Sequence, residues 1–164
     1  MDEGAELQTG TFGRVHDAWV AHHEQLWRSV FAWSADREIA SDAVAEAFAQ
    51  ATRRGDAVDD VGRWVWRSAF RIAAGLLKDR RGQLGSSALP DAADRATIPA
   101  DAVALIDALD RVTPADRQLV VLAVVGGWPA ADIAELLDAS AGTVRVRLHR
   151  AKARLRTILE DNDG

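Results

Sequence analysis

The feature that most constrains the fold is a pair of helical patterns that meet across a short turn near the end of the chain. Apolar residues recur at helical spacing on both sides of residues 136–140, and Ser140 is a favoured N-cap for the second helix. A helix-turn-helix needs a small residue where the helices cross, a tight left-handed turn and an apolar residue early in the second helix. Ala134, Asp138 and Val144 occupy those three positions. The sequence therefore predicts a helix-turn-helix within residues 113–159.

The distribution of charge points to nucleic acid, although the chain as a whole is acidic, with a net charge of −5. Residues 139–159 contain six Lys or Arg and no acid, and residues 61–81 contain six against the single acid Asp79. Phosphate neutralisation by such basic groups supplies most non-specific affinity for DNA. Two basic stripes on an acidic body predict contact with DNA at two places and weak binding overall.

The final helix separates into a buried face and an exposed face. Helical counting places Val144, Leu148, Ala151 and Leu155 on the face that packs inward. Opposite that face lie the residues that we expect in the major groove, namely Gly142, Arg145, Val146, His149 and Arg150. Arg can bond the O6 and N7 atoms of guanine, and Val can touch a thymine methyl group. The residues expected at DNA phosphates are Ser140, Thr143, Arg147, Lys152 and Arg154, with Arg156 nearby.

The rest of the chain predicts two small helical domains and no strand, so the fold class is all-α. Residues 1–13 lack periodicity and are predicted to be a disordered tail. Helical patterns over 14–33, 36–53 and 61–78 predict a helical bundle within a first domain, 14–81. Residues 82–100 are rich in Gly, Ser, Pro, Ala and Asp and predict a flexible linker. The helix-turn-helix lies in a second domain, 101–164, which begins with a helix over 101–110.

Several classes of site are excluded or disfavoured by composition. The chain has no cysteine, which excludes disulfides and zinc fingers. No apolar run approaches the length of a membrane span and the start is not a signal peptide, so we expect a cytoplasmic protein without membrane insertion. His22 and His23 are adjacent and point about 100° apart on a helix, and His16 lies too far round, so we expect no metal. Paired carboxylates lack a neighbouring nucleophile, so we expect that the protein binds no cofactor and is not an enzyme.

At the motifs SAGTVRVRLHRAKARL (140–155), SDAVAEAFAQA (41–51) and GRWVWRSAFRIAAGLLKDRR (62–81), the chain resembles a known family. The first motif resembles region 4 of sigma-70 family factors, in particular the extracytoplasmic-function (ECF) group, and the other two resemble region 2 more loosely. The resemblance implies a subunit that directs bacterial RNA polymerase to promoters. Its partners would be promoter DNA, the clamp and flap of the large polymerase subunits, and an anti-sigma factor, and the free protein would be a monomer.

The resemblance also assigns roles to individual residues. Arg145, Val146, His149 and Arg150 would read the −35 element. The residues implied at the −10 element are Asp56, Asp60, Arg63, Trp66, Arg67 and Arg71, with the loop 56–60 helping to hold a flipped-out base. The residues implied at the polymerase clamp are Asp42, Glu46 and Gln50.

Two features of the motifs qualify this assignment. Trp64 and Trp66 point to different sides of their helix, and we expect Trp64 to be buried and Trp66 to be partly exposed. The sequence departs from the family pattern at Ala45, Arg71, Gly75 and Pro129, which bears on promoter sequence and polymerase affinity. Two other hypotheses stay open at this point: a stand-alone helix-turn-helix regulator that dimerises, and a helical adaptor whose basic stripes bind an acidic protein.

Overall fold

The computed structural model describes residues 3–84 and 98–164, with side chains over 10–83 and 98–164. Within these ranges the chain is helical and contains no strand, which confirms the all-α prediction. The helices are α1 (Glu3–Ser34), α2 (Arg37–Arg54), a single 3-10 turn (Gly55–Ala57), α3 (Val61–Leu84), α4 (Ala100–Asp110), α5 (Pro114–Val124), α6 (Ala130–Leu136) and α7 (Ala141–Asn162). We call α1–α3 the N-terminal unit and α4–α7 the C-terminal unit.

Side-chain caps fix the starts of four helices. Asp60 Oδ1 accepts from the Arg63 N–H at 3.0 Å, and Thr113 Oγ1 accepts from the Asp116 N–H at 3.3 Å. Ser140 Oγ accepts from the Thr143 N–H at 3.1 Å, and Asp36 caps α2 in the same way. Each cap satisfies one main-chain donor that the first turn of a helix leaves unpaired. The predicted starts at residues 61 and 141 are therefore confirmed.

Two helices extend beyond their predicted ends. The sequence predicts a disordered tail over 1–13, but α1 begins at Glu3, so that prediction is wrong for residues 3–13. Helix α3 runs past its predicted end at residue 78 to Leu84, and Arg80 near its end pairs with Glu38 of α2 and with Asp36, the N-cap of α2. Most of the predicted linker 82–100, namely residues 85–97, lies outside the described residues.

The N-terminal unit is a three-helix bundle whose middle helix presents a face of small residues. Ala40, Ala43, Ala47 and Ala51 of α2 are all buried, which allows α1 and α3 to approach its backbone closely. Larger side chains from the neighbouring helices, such as Leu26, complete the core. The alanine face therefore supports the bundle that the helical spacing predicts.

The C-terminal unit packs its four helices around an aliphatic core and contacts the N-terminal unit directly. Trp33 Nε1 of α1 donates to the Pro114 carbonyl at 3.2 Å, and Arg117 Nη1 of α5 donates to the Trp33 carbonyl at 3.2 Å. Gln25 Nε2 donates to the Val125 carbonyl at 3.1 Å. These contacts join α1 to both ends of α5, so the two units lie against each other.

Candidate nucleic-acid interface

The turn between α6 and α7 has the geometry that a helix-turn-helix requires. Asp138 adopts φ 54°, the left-handed conformation that the sequence predicts for it. The Ala139 N–H donates to the Ala134 carbonyl at 2.8 Å, which closes the end of α6. Ala134 is 3% exposed and Val144 is 2% exposed, so the helices cross where the small residue allows it. The two-helix geometry predicted from these residues is confirmed.

The two predicted faces of α7 are separated as helical counting requires. Val144, Leu148, Ala151 and Leu155 are all buried. The residues expected in the major groove, Gly142, Arg145, Val146, His149 and Arg150, are all exposed. Within the described part of the chain, Arg145, His149 and Arg150 make no ion pair with an acid, and Val146 is a half-exposed apolar side chain. The face is thus a set of unpaired donors around one apolar contact point.

The residues of α7 predicted to contact DNA phosphates differ in whether another group of the chain already binds their side chains. Lys152 and Arg154 are exposed and, among the described residues, lack an acidic partner. The Ser140 hydroxyl donates to Thr143 Oγ1 at 2.8 Å, so the hydroxyl hydrogen of Thr143 is left for another acceptor. Arg147 is different, because its Nη2 lies 2.7 Å from Asp116 Oδ1 of α5. Arg147 therefore braces α7 against α5 in this structure, and its predicted contact with a DNA phosphate stays a prediction.

The three arginines of α3 that are implied at the −10 element also differ in whether an acid of the chain already pairs with them. Arg67 and Arg71 are exposed and, in the described residues, unpaired. Arg63 instead faces α6, where it pairs with Glu135 and lies 3.7 Å from Asp132. These carboxylates, Glu135 foremost through its hydrogen bond, raise the pKa of Arg63 above its ordinary value. In this arrangement the Arg63 charge is already neutralised within the chain.

The expectation for the two tryptophans of α3 is wrong, and the roles are reversed. Trp66 is 1% exposed, whereas Trp64 is partly exposed and lies under the Arg54 guanidinium, 5.7 Å from the ring centroid. Trp66 is buried because its ring packs edge-on against Trp128 of the C-terminal unit at 5.4 Å. In this structure Trp66 is not available to a base, while Trp64 with Arg54 presents a ring beside a cation at the surface.

The loop 56–60 is held by α1. The Asp56 carboxylate accepts from Thr11 Oγ1 at 3.2 Å and from Arg14 Nη1 at 3.5 Å. Arg14 Nη2 also donates to the Val58 carbonyl, and to the Asp59 carbonyl at 2.9 Å. Sequence reasoning missed Arg14, because nothing in the helical pattern of α1 shows which loop it reaches. Asp60 is engaged as the cap of α3, so its carboxylate has a structural task.

The predicted clamp residues lie along the outer face of α2. Asp42 is exposed, and Glu46 Oε1 accepts from Gln50 Nε2 at 3.0 Å and from Arg53 Nη2 at 2.8 Å. The hydrogen bonds from Gln50 and then from Arg53 lower the pKa of Glu46. Beside this face, α1 and α2 enclose a groove of about 420 Å³ whose walls include Trp19, Trp27 and Val44. The groove was not anticipated, because it depends on how two helices meet.

No group of three or more metal-ligating side chains occurs among the described residues. No helix in that part of the chain is long and apolar enough to cross a bilayer.

The arrangement of helices and motifs matches known proteins. The family described as "Sigma-70, region 4" matches residues 102–155. The ECF RNA polymerase sigma factor SigL of Mycobacterium tuberculosis is 27% identical over 151 residues, covering 85% of each chain. SigM of the same organism, also an ECF RNA polymerase sigma factor, is 34% identical over 143 residues, covering 84% of this chain and 73% of its own. The chain belongs to the ECF RNA polymerase sigma factors.

The fold of this ECF sigma factor also resembles a solved structure. The sigma factor RpoE of Bartonella quintana, crystallised with the anti-sigma factor NepR, superposes with a TM-score of 0.71. The two share 17% sequence identity, and the superposition covers 88% of this chain and 96% of the other. The helical fold, including the helices before the region 4 match, is therefore that of a known sigma factor.

Proposed function

We propose that this ECF sigma factor directs RNA polymerase to promoters. In this proposal α7 reads the −35 element, α3 with the loop 56–60 holds the −10 element, and the outer face of α2 docks on the polymerase clamp. The observation that carries the proposal is the exposed face of α7, where Arg145 and Arg150 are unpaired among the described residues and lie opposite a fully buried seam. Cationic donors on a rigidly packed helix suit base reading in the major groove.

At the −35 element, Arg145 and Arg150 would bond guanine edges and Val146 would contact a thymine methyl group. Phosphates on either side would be held by Lys152, Arg154 and the N-terminal end of α7. The hydroxyl hydrogen of Thr143 is free to donate there, because its oxygen already accepts from Ser140. Phosphate contacts fix the register of the helix, and base contacts supply the sequence preference.

At the −10 element, strand opening requires a surface that stabilises unstacked bases, and an aromatic ring beside a cation does so. We propose Trp64 with Arg54 for this role, in place of Trp66, which lies inside the protein. Arg67 and Arg71 would hold the strand backbone. The loop 56–60, anchored by Arg14, would supply the wall for a displaced base.

Docking on core polymerase would use the acidic face of α2. Asp42 is free to pair with a basic side chain, and hydrogen bonds from Gln50 and Arg53 fix the Glu46 carboxylate on the same helix and lower its pKa. The adjoining groove at Trp19 and Trp27 would take an apolar side chain of the clamp. The C-terminal unit would contact the flap.

The test uses purified protein, core polymerase and a library of randomised promoters, with transcripts identified by sequencing. We expect wild type to bind core and to enrich one pair of promoter elements. Arg145→Ala should weaken use of the preferred −35 sequence about 5- to 150-fold and relax specificity at one position. Lys152→Ala, the matched control on the same helix, should weaken all sequences alike and reduce the salt dependence. Failure of wild type to bind core would refute the proposal.

The other two hypotheses predict different results in the same experiment. A stand-alone regulator would dimerise and bind intact duplex specifically without polymerase. An adaptor would leave transcription unaffected when Arg145 and Arg150 are both reversed in charge. An anti-sigma partner is also part of the proposal, and co-purification from the source organism with a protein that blocks core binding would test it.

A further inference from the structure

The loop 56–60 is fixed at both ends by local structure. It leaves α2 through Gly55, whose φ of 57° favours glycine, and it enters α3 through the cap at Asp60. Between these ends Val58 is 3% exposed and so packs into the core. The other side chains of the loop are exposed, namely Asp56, Ala57, Asp59 and Asp60. The loop therefore has one buried residue and an open outer face.

Helix α1 supplies a further support from the side. Thr11 and Arg14 are three residues apart and share a face of α1. Arg14 Nη2 donates to the Val58 carbonyl, and to the Asp59 carbonyl at 2.9 Å. Both α1 side chains also reach Asp56, whose Oδ1 lies 3.5 Å from Arg14 Nη1 and accepts from Thr11 Oγ1 at 3.2 Å. We call Thr11 and Arg14 the α1 tether.

The tether acts on the main chain of the loop, which sets the shape of the loop. A guanidinium is planar and presents its donors in a fixed fork, so two successive carbonyls that meet the same Nη2 are held in one mutual orientation. Hydrogen bonds from a charged donor are also stronger than neutral ones. The Arg14 side chain is 40% exposed, so solvent weakens each contact, but several contacts converge on it. Without Arg14 the buried Val58 would still hold the loop, while the residues beside it would be free to move.

We propose that Arg14, assisted by Thr11, is a positioning residue for promoter opening, which holds the loop 56–60 in the shape that receives a displaced base of the −10 element. In this role Arg14 acts through the loop and does not read the base. A loop that is ordered before the base arrives loses less conformational freedom on binding, which favours capture and sharpens discrimination between bases. The consequence for promoters rests on the proposed function, whereas the order of the loop in the free protein does not.

Amide hydrogen exchange measures loop order in the free, full-length protein. The Val58 N–H donates to the Gly55 carbonyl at 3.2 Å, so its exchange reports opening of the loop. Arg14→Met keeps the length of the side chain and removes its donors, and it should speed this exchange about 3- to 30-fold. Thr11→Val should speed it about 2- to 5-fold, because it removes one hydrogen bond. Arg111→Met, the matched control at an exposed arginine of the C-terminal unit, should leave it unchanged.

Amides in the middle of α3 provide the internal reference for this measurement. Their exchange should be the same in wild type and Arg14→Met, because the tether reaches only the loop. Equal exchange of the Val58 N–H in wild type and Arg14→Met would overturn the tether. Faster exchange throughout the N-terminal unit would also overturn it, since Arg14 would then support the whole bundle rather than the loop.

Promoter opening with core polymerase tests the role of the ordered loop. The template is the promoter selected from the library, with each possible base at the displaced position of its −10 element. Arg14→Met should shrink the difference in opening rate between the best and the worst base by about 3- to 10-fold, with core affinity and −35 preference unchanged. Thr11→Val changes no charge and should act in the same direction by a smaller factor, which separates loop order from lost attraction to DNA. Arg14→Lys should restore part of the preference, since it keeps the charge and one donor group.

The outcomes distinguish the positioning role from the proposed function. A loosened loop with an unchanged preference at the displaced base would overturn the positioning role. An equal loss of preference at the −35 element would overturn it as well, because α7 lies outside the reach of the tether. If wild type failed to bind core, the proposed function would fall, while hydrogen exchange would still decide whether Arg14 orders the loop.

Discussion

The buried guanidinium of Arg117 gives the sharpest prediction about stability, because a single side chain ties α5 to α1 and to the end of α4. Arg117 is 5% exposed. Its Nε donates to the Leu109 carbonyl at 2.9 Å, Nη1 to the Trp33 carbonyl at 3.2 Å and Nη2 to the Val112 carbonyl at 3.2 Å. Burial lowers the pKa of Arg117, but an arginine stays protonated in a protein. The charge is therefore compensated by main-chain oxygens together with the Asp110 carboxylate, which lies 3.6 Å from Nη2.

The expected magnitude follows from those contacts. Arg117→Met keeps the length of the side chain and removes all of the donors, so the carbonyls of Leu109, Trp33, Asp110 and Val112 lose the arginine, although the Leu109 carbonyl still accepts from the Val112 N–H. Each buried carbonyl that loses its donor costs about 1–3 kcal/mol, but these losses are not additive. Part of the loss is offset, because removing the arginine also removes the cost of burying its charge. We expect a net loss of about 3–5 kcal/mol in the free energy of unfolding, a large part of the stability of a domain of this size.

Urea denaturation measures this loss. With an m-value of about 2 kcal/mol per M, the midpoint should fall by roughly 2 M. Arg156→Met, an exposed arginine on α7, serves as control and should change stability by less than about 0.5 kcal/mol. Arg117→Lys should lose an amount of stability between those of Arg117→Met and Arg156→Met. A compact ammonium lacks the planar fork by which the guanidinium reaches several carbonyls at once. A loss below about 1 kcal/mol for Arg117→Met would refute this account of the contact between the units.

Three smaller predictions concern the turn and α2. Ser140→Ala removes the cap on Thr143 and should lower the free energy of unfolding by about 1 kcal/mol, whereas Ser140→Asp should retain most of it, as thermal melts would reveal. Asp138→Gly relieves a left-handed φ of 54° and should raise stability by up to about 1 kcal/mol in the same assay; a loss would contradict that reading. Gln50→Ala removes the main cause of the lowered pKa of Glu46, so an NMR titration should show that pKa rising toward its ordinary value. Ionised Glu46 contributes to stability at pH values above its ordinary pKa, and this contribution is lost as the pH falls through its lowered pKa in the folded protein. Gln50→Ala should make this contribution smaller.

Much of the candidate interface could be predicted because its determinants are local. A capping hydroxyl at Ser140, a tolerant residue at Asp138 and a small one at Ala134 act within a few residues of where they stand in the chain. The period of an α-helix then assigns the faces of α7 without reference to any other part of the molecule. The same locality explains why the capped starts at residues 61 and 141 were predicted closely, whereas the start of α1 and the end of α3 were not.

The tryptophans of α3 show where local reasoning stops. Periodicity places Trp64 and Trp66 on different sides of the helix, but it cannot say which side another unit covers. Trp128, more than sixty residues away, decides that Trp66 is the buried one. Arg147 follows the same rule, since its place on the exposed side of α7 gave no sign that Asp116 would hold it.

The sequence alone determined the helical fold, the helix-turn-helix and the exposed basic face of α7, since each depends on residues within one or two helical turns. Only the tertiary structure decided how the two units meet, that Trp66 and Arg63 are engaged there, and that Arg117 joins α5 to α1. Those contacts depend on surfaces brought together from distant parts of the chain. An apolar pattern within one helix indicates that a face must be buried, and the packing of the whole chain determines what buries it.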